Sequence, residues 1–247
     1  MSGKYKAEKV TPYNGSESKT TQVERMFDSI AVTYDKLNIT LSMGIDRIWR
    51  RLALNTLRPF APAVVLDVAT GTGDLAILTA KRLKPQRVVG IDLSEGMLKV
   101  GREKVKAKGL EGIISMECQD CLDLQFPDNT FDAITVGFGV RNFESLEKGF
   151  AEMYRVLKPG GVLLVLELST PERFPMKQLY DFYSSTVIPA VGKMVSKDAS
   201  AYDYLNKSVK VVPQGDAMAG IFRKVGFRDV RFDPYTFGIC TNYRGVK

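Results

Sequence analysis

The chain reads as an α/β protein built on a mostly parallel sheet that ends in an antiparallel hairpin. Three observations predict this. Apolar strand-like runs alternate with helical stretches from residue 64 to residue 168, the pattern of right-handed β-α-β units. A glycine-rich turn, Asp67-Val68-Ala69-Thr70-Gly71-Thr72-Gly73-Asp74, joins the first strand of that series to its first helix. After residue 212 the alternation gives way to one helix and two short β-like runs. At 247 residues, 45% hydrophobic and 26% charged, a single domain with a full core is expected.

Residues 1–20 mix Lys4, Lys6, Glu8, Lys9 and Glu17 with polar residues and are expected to form a mobile arm. They have neither the apolar core of a secretion signal nor the acid-poor character of a transit peptide. Residues 21–60 predict a helical cap. Val23, Met26, Phe27 and Ile30 recur at three and four. A further helix from about Asp46 sets Ile45, Ile48, Trp49, Leu52 and Ala53 against Arg47, Arg50 and Arg51, and Pro59 and Pro62 close the section. Strands follow at 64–68, 87–92, 113–118, 131–137 and 161–168, with helices at 74–83, 95–108 and 145–156. The Lys158-Pro159-Gly160-Gly161 turn precedes the very apolar Val162-Leu163-Leu164-Val165-Leu166, a central-strand composition. An insert at 171–212 is rich in apolar and aromatic residues, among them Phe174, Leu179, Tyr180, Phe182, Tyr183 and Tyr204. It is either helical cover for the sheet or a cap over a pocket. A helix at 214–225 leads into Phe227–Phe232, a turn at Asp233-Pro234, and Thr236–Tyr243.

Composition removes several chemistries. The chain has no histidine, so imidazole general bases and Ser-His triads are out, and a proton acceptor must be a carboxylate, Tyr, Lys, Cys or water. Three cysteines suit a reducing compartment. Cys118 and Cys121 form a C-x-x-C pair, but a structural zinc needs about four ligands, and the pair follows a strand rather than opening a helix. No metal is expected. No apolar run approaches the ~20 residues of a membrane helix. The net charge of +7 suits an anionic partner or surface. The local excess at Lys99, Arg102, Lys104, Lys106 and Lys108 reads as a solvated helix face, and no arginine-aromatic motif supports nucleic acid.

The glycine turn lets a ligand approach bare backbone. Gly71, Gly73 and Ala76 also fit G-x-G-x-x-A, so a nicotinamide cofactor must be weighed. Asp74 stands at the expected helix N-terminus, where a pyrophosphate would otherwise sit, and Asp67 ends the first strand. Two carboxylates there suit a cationic ligand such as S-adenosylmethionine. Asp92 ends the second strand and suits ribose hydroxyls. Asp120, after the third strand, either accepts from an adenine amine or caps a turn. Gly137-Phe138-Gly139-Val140-Arg141-Asn142 ends the fourth strand, at the sheet edge where such folds bind ligands. Glu167 lies in the next strand, and a carboxylate in so apolar a run needs a partner, with Arg141 a candidate.

Wider stretches resemble the ubiquinone/menaquinone biosynthesis C-methyltransferases. They are Phe27-Asp28-Ser29-Ile30-Ala31 with Tyr34-Asp35, Leu41–Trp49, Leu66–Asp74, Asp92-Leu93-Ser94-Glu95-Gly96-Met97-Leu98, Gly137–Asn142 and Glu152–Gly161. In the insert they are Tyr180-Asp181, Tyr183-Ser184, Ile188-Pro189 and Tyr202 to Ser208. The resemblance covers about residues 23–245. It implies a seven-stranded class I methyltransferase fold with helices on both faces. It also implies methyl transfer from S-adenosylmethionine to a ring carbon of a polyprenylated quinol. Its cofactor positions fall on Thr72, Asp92, Asp120-Cys121 and Gly137, with Leu93 and Met97 in the same stretch as Asp92. The family commonly has Asn at the Asp120 position, Ser at Gly137, and a histidine near Thr241–Gly245 that this chain lacks. Arg141 would stabilise the quinolate oxygen and Asn142 would orient the ring. Glu167 or Asp198, or a water held there, would take the proton, and Tyr183 and Tyr204 would line the ring pocket. Demethylmenaquinol is favoured over a benzoquinol, and a non-catalytic lipid-binding protein is the alternative on this fold. The lipid substrate implies a cytoplasmic enzyme, transiently peripheral at the inner face of the membrane. Oligomeric state is open, a homodimer included.

Overall fold

The computed structural model describes residues 4–187 and 199–247. Seven strands form one sheet: β1 (Val64–Val68), β2 (Arg87–Asp92), β3 (Ile114–Cys118), β4 (Phe131–Gly137), β5 (Leu157–Leu168), β6 (Arg228–Tyr235) and β7 (Cys240–Val246). Their order is β3-β2-β1-β4-β5-β7-β6. The first five pair in parallel, and β7 runs antiparallel to both β5 and β6. The predicted fold class therefore holds.

Period-2 alternation divides the sheet residues between two cores. Leu163 and Val165 join Leu66, Ile91, Ile134 and Tyr243 on one face. Val162, Leu164 and Leu166 join Val65, Val88 and Ala133 on the other. The first face is covered by α7 (Leu146–Val156) and α10 (Asp216–Val225). The second is covered by α4 (Ile45–Asn55) and α5 (Asp74–Leu83), with Leu98 and Val105 of α6 (Glu95–Ala107). Each fully buried aliphatic side chain contributes about 1.5–3 kcal/mol.

Over the carboxyl ends of the strands lie α2 (Lys19–Ile30) and α3 (Tyr34–Ser42). The insert contributes α8 (Met176–Phe182), a π-helical turn Tyr183–Val187, and α9 (Ala199–Val211). Leu168 at the end of β5 and Cys240 at the start of β7 are register partners. The Ser169 N–H donates to the Ile239 carbonyl at 2.9 Å, and Ser169 Oγ lies 2.9 Å from Thr241 Oγ1.

Three expectations need correction. Within the expected mobile arm, residues 5–8 and Lys19 are anchored: α1 (Lys6–Lys9) buries Ala7 in the main core, and Tyr5 donates to Glu147, while residues 14–18 are exposed. Alternation of charge hid this, because the anchoring contacts are single residues. Second, Asp233 and Pro234 lie inside β6, and the turn comes at Thr236–Gly238. β6 is an edge strand, where a proline's missing N–H leaves no ladder bond unmade. Third, Lys158–Gly161 belongs to β5, with a register shift opposite Phe131–Ala133, rather than forming a free turn.

Candidate active site

Strand order reverses between β1 and β4, and a crevice opens where their following loops diverge. A cavity of about 750 Å³ lies there, open mouth included. Gly71, Asp92, Leu93 and Met97 line it, together with Asp120, Cys121 and Gly137. The sequence therefore nominated much of its wall. Gly71 and Gly73 take φ values of +55° and +78°, which lets the chain turn from β1 into α5. Asp92 fixes this turn: Gly71 N–H donates to its Oδ2 at 2.8 Å and Ser94 N–H to its Oδ1 at 3.0 Å. Burial raises the Asp92 pKa, and these backbone donors oppose the rise. Asp120 makes the turn cap expected of it, accepting from Leu122 N–H at 2.8 Å, and also borders the cavity. Burial pushes the Cys121 thiol well above its usual range, so it is an inert wall residue.

Gly73 does not line this cavity; a Cβ there would lie 3.2 Å from Met116 Cε, so its role is packing. Asp74 also departs from expectation. Lys104 Nζ reaches it at 2.5 Å, so the carboxylate at the start of α5 is compensated rather than open. The basic cluster of α6 is thus not all solvated face. Lys104 also contacts Asp35 at 2.6 Å and Thr72 Oγ1 at 3.0 Å, and Thr72 Oγ1 donates to Asp35 at 2.5 Å. This pins α3 to the glycine turn. Asp28 pins α2 in the same way, accepting from Ser94 Oγ at 2.6 Å and Gly96 N–H at 2.9 Å. Both aspartates fall in motif stretches of the sequence, but their partners lie 37 to 69 positions away and leave no local signal.

Asp67 is buried in a recess beside Thr72 and Asp74. Its carboxylate accepts from Thr70 Oγ1 at 2.6 Å and Thr135 Oγ1 at 2.5 Å. Burial raises its pKa from 3.8 to about 6, against those hydroxyls and the charge of Arg50. In that window the folded chain binds a proton that the unfolded chain does not, so this group's contribution to stability falls as pH rises from about 4 to about 6. The slope is at most about 1.4 kcal/mol per pH unit. Asp67→Asn should flatten that decline in urea midpoints measured across the window.

Two further cavities adjoin the first. One is lined by Met26, Phe27, Leu37, Arg141, Asn142 and Tyr204, and Asn142 also lines the first cavity. The outer one, about 700 Å³, is lined by Leu41, Trp49, Phe138, Arg141, Tyr180 and Tyr183. Tyr34 borders all of them. Arg141 sits in the 3-10 turn Val140–Asn142 after β4. Its Nη1 donates to Glu167 Oε1 at 2.8 Å and to the Phe138 carbonyl, and its N–H donates to Glu167 Oε2 at 3.2 Å. Burial works against the cation, but Glu167 together with Tyr34 and Tyr204 outweighs it and the pKa is raised. Glu167 lines none of these cavities, so it positions Arg141 and does not face an acceptor as the expected proton acceptor would. Tyr183 donates its hydroxyl to the Leu41 carbonyl, which ties the insert to α3. Asp198 lies outside the described residues.

Arg141 Nε, Asn142 Oδ1 and the Tyr204 hydroxyl are buried without a hydrogen-bond partner among the described residues. Burial raises the Tyr204 pKa, against Arg141, so the phenol is a neutral donor at ordinary pH. Unpaired buried polar atoms are costly, and three at one junction mark a place built for a polar ligand.

A parallel sheet with β7 inserted antiparallel, and a cavity at the switch point bordered by acids after β2 and β3, define the fold of the S-adenosylmethionine-dependent methyltransferases. Such a methyltransferase from Thermotoga maritima shares it with a TM-score of 0.62 over 90% of this chain and 99% of its own, at 18% identity. Residues 15–247 match the ubiE/COQ5 methyltransferase family, and the chain belongs to that family. The demethylmenaquinone methyltransferase of Bacteroides fragilis is 57% identical over 243 residues, covering 98% of this chain and 99% of its own. That of Porphyromonas gingivalis is 48% identical over 241 residues, covering 97% and 98%.

Proposed function

We propose that this enzyme methylates a ring carbon of a polyprenylated naphthoquinol, converting demethylmenaquinol to menaquinol with S-adenosylmethionine. The observation that carries the reading is the junction itself. Arg141 Nε, Asn142 Oδ1 and the Tyr204 hydroxyl stand unpartnered between the cavity at the glycine turn and two apolar-aromatic cavities. A flat ring bearing two oxygens matches such a chamber. The naphthoquinol is supported by the relatives from Bacteroides fragilis and Porphyromonas gingivalis, both demethylmenaquinone methyltransferases. A benzoquinol is the alternative, whereas the nicotinamide reading fails on family membership.

The residues of the first cavity fit an adenosyl cofactor. Asp92 and Asp120 would accept from ribose and adenine, Leu93, Met97 and Cys121 would flank the base, and Gly71 and Gly137 leave room at the backbone. Thr72, Asp67 and Asp74 would shape the recess beside it. S-adenosylmethionine supplies an electrophilic methyl on a sulfonium. The chain supplies position and a dry chamber, which favour a step in which charge is neutralised. Arg141, held by Glu167, would stabilise the ring oxygen as it becomes anionic. Once the ring carbon has taken the methyl and S-adenosylhomocysteine is released, the ring C–H proton would pass to water. Asn142, shared by both cavities, and Tyr204 would orient the ring. The test is incubation with labelled S-adenosylmethionine and each quinol, followed by identification of the product; methylation of neither would sink the reading.

The lipid tail of such a substrate lies in a bilayer. No described helix is long and apolar enough to cross one. Beside residues that line the outer cavity, Met43, Ile48, Phe174, Leu179, Phe182 and Phe237 are exposed, with Arg47 and Arg51 on the same stretch as Ile48 and Leu52. An apolar rim with adjacent cations suits peripheral contact with anionic lipid. The protein should sediment with anionic vesicles at low salt, and Ile48→Asp with Phe237→Asp should weaken that by about tenfold. Equal sedimentation of the double variant would remove this rim from the contact.

A further inference from the structure

Lys19 opens α2, yet its side chain is only 4% exposed. Its Nζ donates to the Ala7 carbonyl at 2.7 Å and to the Arg141 carbonyl at 2.9 Å, joining segments 12 and 122 residues away. The ring of Tyr204 lies 6.0 Å from the same nitrogen. The next residue repeats the tie: Thr20 N–H and Oγ1 donate to Glu144 at 3.1 and 2.6 Å. A buried amine at the positive end of a helix is poorly placed for local stability. One of its two bonds instead reaches the backbone that carries Arg141 and Asn142, and the other ties that backbone to Ala7 of α1.

We propose that Lys19 is a positioning residue for methyl transfer: its amine holds the Arg141 carbonyl, and so the Val140–Asn142 turn, at the junction of the donor and acceptor cavities. The inference rests on the acceptor roles given to Arg141 and Asn142 above. It makes the amino-terminal segment part of the active-site scaffold. The clamp also senses pH. Around Lys19 stand Glu8 from α1, Glu144 and Arg141 from the loop after β4, and Tyr204 from α9. Burial lowers the amine's pKa from 10.5 to about 7, with Arg141 acting in the same direction and Glu8 and Glu144 opposing. Charge-assisted bonds to the two carbonyls therefore weaken to neutral ones as pH rises through about 7.

The test is Lys19→Met in the full chain. It should bind S-adenosylhomocysteine within about twofold of the unaltered protein, keep KM for demethylmenaquinol within about threefold, and lose kcat by at least about tenfold. The Asn142 and Phe143 amides, which close the turn, should exchange hydrogen at least about tenfold faster, with those of Met97 and Leu98 unchanged. In the unaltered protein the protection of Asn142 and Phe143 should fall as pH rises through about 7, a measurement that needs no folded variant. The pH profile of kcat should lose a step near that midpoint in Lys19→Met. Unchanged exchange at Asn142 and Phe143, or kcat within about twofold, overturns the proposal. If the unaltered protein methylates neither quinol while those amides still loosen, the acceptor assignment falls and the clamp stands.

Discussion

Arg141→Ala is expected to lower kcat by about 10² to 10³, the loss typical when one donor to a developing oxyanion is removed. Affinity for S-adenosylhomocysteine should hold, because Arg141 does not line the cavity of Asp92 and Asp120. Stability should fall with it. Glu167, 1% exposed, would lose its cation, and breaking a buried pair from one side costs about 3–5 kcal/mol. The two effects separate in the double variant Arg141→Met, Glu167→Gln. It should recover most of the lost stability in urea unfolding and none of the turnover. Parallel loss of cofactor binding and turnover in Arg141→Ala would contradict the role given to this residue.

Asp92→Ala should act on the other half of the site. Both carboxylate oxygens hold backbone amides, one in each loop that flanks the first cavity. Removing them frees the Gly71 and Ser94 N–H groups and takes away the acceptor proposed for a ribose. Affinity for S-adenosylhomocysteine should drop by about 10²-fold, near 2–3 kcal/mol, as for charged hydrogen bonds. Calorimetric titration reads this directly. KM for the quinol at saturating cofactor should stay within about threefold. Asp92→Asn, which keeps one acceptor, should fall between.

What could be read from the sequence was what repeats or stands at a turn. Val64–Val68 and Val162–Leu166 announce strands by composition, and Gly71 and Asp92 announce a ligand by their place after strands. The pairing of Arg141 with Glu167 followed from the cost of a lone carboxylate in an apolar run. What escaped depends on partners distant in the chain. Lys104 looked like one more surface cation, because nothing local shows that it meets Asp35, Thr72 and Asp74. Lys19 looked like part of a polar arm, because its burial depends on Ala7 and Arg141 closing around it. Pro234 looked like a turn because its chemistry is equally at home on a sheet edge.

The register pairing of Leu168 with Cys240 has a consequence for how the acceptor side can change. Between them the chain leaves β5 for the insert and then returns to the fold as α10 and β6 before β7. The entropy of closing that long loop is already met by the sheet, and it grows only slowly with loop length. The stretch from residue 171 to residue 212 is therefore inserted between fixed ends, where Thr170 N–H and Oγ1 each donate to Gln214 Oε1 at 3.0 Å. It carries Tyr180, Tyr183 and Tyr204 of the acceptor chambers, while the lining residues of the first cavity lie before residue 145. Part of the wall beyond the first cavity is thus housed in a length of chain that adds nothing to the first cavity's lining, while Tyr34 and Asn142 of the common scaffold border both.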